Sequence, residues 1–270
     1  MDGEGGKYAF IQVITEKESW NVPFPFSEFT ASGGKFAVKI GINTFSENGI
    51  WIDIDHNGLI LKGRIGYGRF TPLKYDIMGP FSCLPFLECR HAIHSLHHSL
   101  NGSLQVGNTQ YDFSGGRGYI EQDWGVSFPQ KYIWMQTNDF PAESRADNTS
   151  GETGKGCLFL SIADIPFLGK TFTGCICILY LNETEYRLAT YLGVKIIQAT
   201  EQSIILLQGK YTLVIDIEDG KSQDLLAPRQ GEMSRTIRES ESCRAHIRFF
   251  EKNSLLLDHI SGDTSFEYAD

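Results

Sequence analysis

Residues 115–129 read GGRGYIEQDWGVSFP, and within them Glu121 and Asp123 have the type and spacing to do acid–base chemistry. If YIEQDW is extended, Tyr119, Glu121 and Asp123 project from one face of a strand, and Ile120, Gln122 and Trp124 from the other. Carboxylates at i and i+2 then stand roughly 6 to 7 Å apart. Facing a dry interior, mutual repulsion and lost hydration both favour keeping one of them protonated at neutral pH, which makes a general acid. Facing solvent, or paired with Arg and Lys, the same two groups are ordinary surface charges. The local pattern leaves both arrangements open.

The elements that must hold these acids are strands. Short β-rich segments such as KFAVKIGI, GIWIDID, LILKGRIGYGRF, YIWMQTN, FTGCICILYL and KYTLVIDI follow one another, separated by turn signals such as ENG, HNG, VGN and EDG. This is the pattern of an all-β barrel or sandwich. The polar, small-residue stretch DFPAESRADNTSGETGKG marks a linker over 139–156. It divides the chain into a domain over 1–138, carrying the acids, and a second over 157–270.

From Ala92 the even positions are Ala92, His94, Leu96, His98, Leu100, Gly102, Leu104 and Val106, an apolar face with a period of two. The reading sends His94 and His98 inward and makes Gly102 the natural place for a bulge. Positions i and i+4 on a strand lie roughly 13 Å apart, too far for His94 and His98 to share one metal ion, so no metal is expected. A helix would instead gather His91, His94 and His98 on one face, but the alternation argues against a helix.

Other motifs carry no chemistry. IDIDHNG resembles the opening of a calcium loop through Asp53, Asp55, Asn57 and Gly58, but the twelfth position, which requires a bidentate Glu, is Arg64. It is a hairpin turn. GGRG lacks the spacing and the following helix of a dinucleotide site. The net charge of −9, with 24 basic residues scattered among 33 acidic ones, excludes a nucleic-acid groove. No apolar run is long enough to span a bilayer, and DGEGGK after Met1 is not a secretory signal. A soluble, cytoplasmic protein is expected. The six cysteines form no CxxC pair or disulfide framework and read as free thiols, Cys175 and Cys177 on one core face. The sequons at Asn101, Asn148 and Asn182 then have no glycosylation role.

MGPFSCLPFLECRHAIHSLHHSLNGSL (78–104) and GRGYIEQDWGVSFPQKYIWMQTN (116–138) together resemble the tocopherol cyclase-like family, as do SIADIPFLGKTFTG and LLAPRQGEMSRTIRES. The resemblance runs from about Tyr8 to the last strand. It implies a pair of lipocalin-like β domains around an apolar cavity, related to hydroxyneurosporene synthase-type proteins. The family chemistry it implies is ring closure on a prenylated quinol: an acid protonates an alkene, and the phenol oxygen captures the tertiary cation. Neither step needs a metal or a redox cofactor. If water enters, the cation is hydrated instead.

Carried onto this chain, the resemblance implies Asp123 as the acid with Glu121 as its partner or substitute, and Glu88 in PFLECRH as a second candidate. His91, His94 and His98 would orient the phenol or take its proton. Trp124, Tyr119 and Trp134 would line the ligand and stabilise the cation by roughly 2 kcal/mol where water is excluded. Gly118, Gly125 and Pro129 would shape the turn. Glu239 would either enter the cavity from the second domain or pair with Arg235 or Arg238. Members of the family usually begin with a Gly-Trp-Tyr-Phe-type strand well before the segment matching KYAFIQV, whereas here Met1 lies just upstream of Tyr8. A first barrel lacking strands would expose an edge that invites homodimerisation. Besides a cyclase or hydratase, the same cavity would suit a non-catalytic carrier of an apolar ligand, and a filled core would suit a scaffold protein.

Overall fold

Asn57 and Gly58 both adopt left-handed backbone angles (φ 47° and 87°), and this two-residue turn pairs residues 49–56 with 59–66 as a hairpin. Hairpins of this kind recur along the chain, in a computed structural model that describes residues 2–3, 6–15, 17–84, 87–140, 156–167, 169–218, 222–229 and 232–269. Most of the linker expected over 139–156, with the Asn148 sequon, lies outside the described residues. Among those described, the helical elements are three short 3-10 turns, so the all-β expectation holds. No helix among them is long and apolar enough to cross a membrane.

Three antiparallel sheets follow in chain order. The first contains β1 (Asp2–Gly3), β2 (Gly6–Ile14) and β3 (Ser19–Pro25). The second contains β4 (Phe29–Ala31), β5 (Ala37–Ile40), β6 (Asn43–Ser46), β7 (Gly49–His56), β8 (Leu59–Tyr67), β9 (Cys89–Val106), β10 (Thr109–Asp112) and β11 (Arg117–Gly125). It runs in the order β10-β9-β8-β7-β6-β5-β4, with β11 paired to β9. The third contains β12 (Tyr132–Thr137), β13 (Cys157–Phe167), β14 (Lys170–Leu181), β15 (Thr184–Ala189), β16 (Lys195–Ala199), β17 (Ser203–Gln208), β18 (Tyr211–Glu218), β19 (Ser222–Arg229), β20 (Glu232–Glu251) and β21 (Ser254–Ala269). Its order is β15-β14-β13-β12-β21-β20-β18-β17-β16, with β19 paired to β20.

The third sheet curls until its ends approach each other. The Gln208 side chain bridges them, accepting from the Ala189 amide at 3.0 Å and donating to the Arg187 carbonyl at 2.9 Å. Its interior is filled by Met135, Leu158, Leu160, Cys177, Leu179, Ile204, Leu206, Leu213, Ile215, Ile247 and Phe249, all fully buried. Cys175 and Cys177 share this core, and the cysteines are free. β13 is buried on both faces: Leu158 and Leu160 point into the barrel, while Cys157 and Phe159 point outward into a second cluster with Ile93, Leu96, Ile77, Ile176 and Ile178. Burying Phe159 there is worth roughly 2–3 kcal/mol. The face between the two large sheets, rather than the barrel interior, is therefore where the acid-bearing strand docks.

The roof over that face is the connection between β8 and β9, latched to the barrel by one arginine. Arg187 donates to the carbonyls of Asp76 (2.7 Å) and Tyr75 (2.9 Å) and to Tyr191 Oη (2.9 Å), and it pairs with Glu185 at 2.8 Å. Its guanidinium stacks 3.6 Å from the centre of the Tyr75 ring. Tyr191 in turn donates to the Ile77 carbonyl at 2.9 Å.

β9 departs from the even-face reading. Ser95, Leu96, His97 and His98 are all buried, so the alternation fails there. The cause is two one-residue bulges against β11: from Gly118↔His98 to Ile120↔Ser95 and on to Glu121↔Ile93, β9 advances by three and then two residues while β11 advances by two and then one. Gly102 is not the bulge. It stays in register with β8, with φ 130°, where an added Cβ would lie 2.3 Å from the Arg64 carbonyl oxygen. Glycine is needed there for close approach of the two backbones.

Candidate active site

β11 is locked against β9 at both ends by glycines. A Cβ on Gly125 (φ 154°) would lie 2.0 Å from the Glu88 carbonyl oxygen, and that oxygen also accepts from the amides of Val126 (2.8 Å) and Ser127 (3.3 Å). A Cβ on Gly118 would lie 2.3 Å from His98 Nε2. Between these fixed points Asp123 pairs across the sheet with His91, and Glu121 with Ile93, so the odd positions of β9 share the face of the two acids.

Tyr119 and Glu121 project to that same face. Tyr119 Oη donates to Glu121 Oε2 at 2.6 Å, and Trp134 Nε1, arriving from β12, donates to the same oxygen at 3.4 Å. The Tyr119 ring stacks on Phe159, 6.3 Å between centres and 19° between planes. Burial first, and the charge of Asp123 second, push the Glu121 carboxyl up to about 7, against the lowering effect of Tyr119, His91 and Trp134. Glu121 thus keeps a substantial protonated fraction up to neutral pH. The same burial and the Glu121 carboxylate raise the Tyr119 phenol well above its ordinary range.

Asp123 is not the isolated acid expected from the sequence. Its Oδ1 lies 2.5 Å from His91 Nδ1, with side chains 20% and 17% exposed but the two contacting atoms themselves shielded from water. Burial works against the imidazolium, but the hydrogen bond and charge of Asp123, with Glu121 and Glu267 behind it, lift the His91 pKa above its ordinary value. Cys89 completes the group; burial and then the two acids push its thiol up to about 12. Cys89, His91 and Asp123 offer ligand atoms within 4.8 Å of one another. His91 Nδ1 and Asp123 Oδ1 are close enough for an ion pair when the imidazole is protonated.

The acids close the inner end of a cleft. The inner part, about 370 Å³ including space open to solvent, is lined by Cys89, His91, Phe128, Tyr132, Trp134 and Glu267 around the two acids. It shares His91, Cys89, Pro129, Ser161 and Ala163 with an outer part of about 540 Å³, likewise including space open to solvent. The outer walls are mainly apolar, built from Met78, Phe81, Leu87, Ile165, Cys175 and Ile176.

Other expected site residues lie elsewhere. Trp124 projects from the opposite face of β11 and is 47% exposed. His94 Nε2 lies 3.0 Å from Gln122 Oε1, on that same opposite face, against the Phe36 ring. His98 is buried between Tyr67 and Phe70, with Nδ1 3.0 Å from Ser95 Oγ, and burial together with His97 lowers its pKa to about 4. Both histidines are even residues of β9, which face away from the acids, whereas the odd His91 faces them. Glu88 lines the outer cleft, and its backbone carbonyl fixes the turn at Gly125. Pro129 both shapes the turn and lines both parts of the cleft. Glu239 is buried opposite Glu267, while Arg235 donates to the carbonyls of Pro129 and Gln130 (both 2.7 Å) and Arg238 reaches Asp224 at 4.0 Å.

Sequence reasoning missed Tyr132 and Glu267. The alternation of Tyr132 and Trp134 in YIWMQT was a usable signal, since both lie on one strand face. Nothing local to SFEYA marks Glu267 as a cleft residue.

The tocopherol cyclase-like family model matches residues 56–268. The tocopherol cyclase of Zea mays, described as chloroplastic, is 28% identical over 79 residues, which is 29% of this chain and 17% of that protein. The probable tocopherol cyclase of Oryza sativa subsp. japonica, also described as chloroplastic, matches with the same identity and coverage. The matched segment thus spans less than a fifth of the length of these curated relatives. The crystal structure of kievitone hydratase from Nectria haematococca superposes with a TM-score of 0.51 at 12% identity, covering 93% of this chain and 75% of that one. Identity that low speaks to the fold alone, and the fold is the lipocalin-like pair of β layers expected from the sequence. With the match extending through both large sheets and including the acid-bearing β11, this chain belongs to the tocopherol cyclase-like family.

Proposed function

We propose that the protein is an acid catalyst that protonates an alkene of an apolar, isoprenoid-type substrate, with Glu121 as the proton donor. The observation that carries this reading is a buried carboxyl, its pKa raised to about 7, at the inner end of an apolar cleft, with both of its hydrogen-bond donors on Oε2. Oε1 is then the oxygen on which the proton sits. Delivery of that proton to a trisubstituted alkene leaves a tertiary cation, and a phenol oxygen of the same molecule captures it to close a ring. A proton positioned in this way typically contributes 10² to 10⁴ in rate. The face of Trp134, which lines the cleft, stabilises the cation by about 2 kcal/mol in the absence of water. Asp123 keeps Glu121 protonated through its charge and holds His91 in place.

Ring closure and hydration differ in what captures the cation, as the names of the two kinds of relative illustrate. Incubation with a panel of prenylated quinols, followed by mass spectrometry, separates the outcomes. A cyclase returns an isomer of unchanged mass, and a hydratase a product heavier by one water. A protein that binds the quinol and returns it unaltered is a carrier, which would overturn the catalytic reading. Glu121→Gln should abolish turnover while retaining binding.

A further inference from the structure

A second tyrosine–glutamate pair faces the first across the cleft. Tyr132 Oη donates to Glu267 Oε2 at 2.7 Å, and both residues line the inner cleft with Glu121 and Asp123. The register of β12 with β21 sets Trp134 directly opposite Glu267, and Trp134 is the residue that donates to Glu121. The cleft is therefore lined by Glu121, to which Tyr119 donates, and by Tyr132 and Glu267, with Trp134 set beside both glutamates.

The surroundings of the two glutamates differ. Glu121 has Asp123 as its charged neighbour two residues along the strand. Glu267 has the buried Glu239 opposite it on β20; the Arg235 guanidinium lies 5.8 Å from the centre of the ring of its partner Tyr132, and His91 is near enough for Glu267 to help raise its pKa. Two carboxyls in one dry site divide their protonation unequally.

We propose that Glu267, held by Tyr132, is the proton acceptor of the reaction. This rests on the reading of Glu121 as the donor. The Glu121 proton forms a C–H bond at the alkene and the π pair is consumed; the phenol oxygen then forms the C–O bond to the cation, and its O–H pair stays on oxygen as the proton passes to the Glu267 carboxylate. The substrate is isomerised with no net change in atoms. The enzyme resets when the proton on Glu267 returns to Glu121, through solvent or through His91. If water is the nucleophile, Glu267 takes the proton of the water instead.

The test has two arms. In the first, kcat/KM is followed against pH in the wild type, Glu267→Gln and Glu121→Gln. The wild type should be bell-shaped. Glu267→Gln should lose the acidic limb and fall at least about 10²-fold at the optimum, with the basic limb kept. Tyr132→Phe should lower kcat while retaining both limbs. In the second arm, which needs neither a variant nor a substrate, ¹³C-carboxyl NMR of glutamate-labelled wild-type protein should find Glu267 ionised at a pH where Glu121 is still protonated. Retention of the acidic limb in Glu267→Gln, or a Glu267 carboxyl protonated at pH 7, would overturn the proposal while leaving Glu121 as donor. A wild type that turns over no quinol, or an active Glu121→Gln, would instead remove the parent reading.

Discussion

Tyr119 Oη and Trp134 Nε1, one from each large sheet, donate to the same oxygen of Glu121, at 2.6 and 3.4 Å. The acid is thus held from both sides of the cleft, and its ionisation is tied to the docking of the two sheets. A buried carboxyl of this kind gives the protein a pH-dependent stability that can be measured without knowing the substrate.

The first prediction concerns Glu121→Gln. The folded-state pKa of Glu121 is raised from 4.5 to about 7, so the folded protein binds this proton more tightly than the unfolded chain does. The associated stability is fully present below pH 4.5, falls as pH rises towards 7, and is gone above it. At 1.36 kcal/mol per pH unit, the loss in the wild type is about 3 kcal/mol, and the glutamine variant does not share it. Thermal unfolding should therefore show the variant gaining on the wild type by on the order of 10 °C between pH 4 and pH 8. A stability difference that does not change with pH would contradict a neutral Glu121.

Tyr119→Phe and Asp123→Asn should move the same ionisation in opposite directions. The tyrosine stabilises the Glu121 carboxylate, so its loss raises the pKa; the aspartate charge opposes that carboxylate, so its loss lowers the pKa. The ¹³C titration of Glu121 should shift up in the first variant and down in the second. Asp123→Asn should also lower the His91 pKa, visible in the imidazole proton shifts, because Asp123 is what lifts it.

Gly118→Ala should destabilise the first large sheet by about 1–3 kcal/mol, since the new methyl meets the His98 ring, which Tyr67 and Phe70 confine. Urea unfolding of Gly118→Ala, His98→Ala and the double variant should give a non-additive cycle, the smaller side chain relieving the clash. Additive losses would place the strain elsewhere.

Arg187→Ala should cost about 3–5 kcal/mol, because it strands Glu185 as a buried charge and unlatches the roof from the barrel. Arg187→Lys should recover only part of this, since one ammonium cannot replace the forked contacts with two carbonyls, Tyr191 and Glu185. Chemical denaturation measures both values.

The strand face shared by Tyr119, Glu121 and Asp123 was legible in the sequence, because a period of two over six residues needs only local geometry. The free cysteines and the all-β architecture were legible for similar local reasons. The position of His91 was not: in β9 the alternation pointed to the even positions, whereas the register with β11 sets the odd His91 and Ile93 beside the acids and leaves His94 and His98 on the other face. Register depends on how two strands fit, which neither strand encodes alone. Glu267 was hidden for a related reason. Its place beside Trp134 is set by the pairing of β12 with β21, segments far apart in the chain, and its own neighbours Phe266 and Tyr268 read as an ordinary strand.

Under the proposed function, a proton of Glu121 ends up on a carbon of the substrate. Turnover of a prenylated quinol in D₂O tests it most directly, because a deuteron delivered to the alkene becomes fixed in a C–D bond. The wild type should yield an isomeric product carrying one non-exchangeable deuterium, and Glu121→Gln none. Product without deuterium on carbon, or equal deuterium uptake in the glutamine variant, would contradict it.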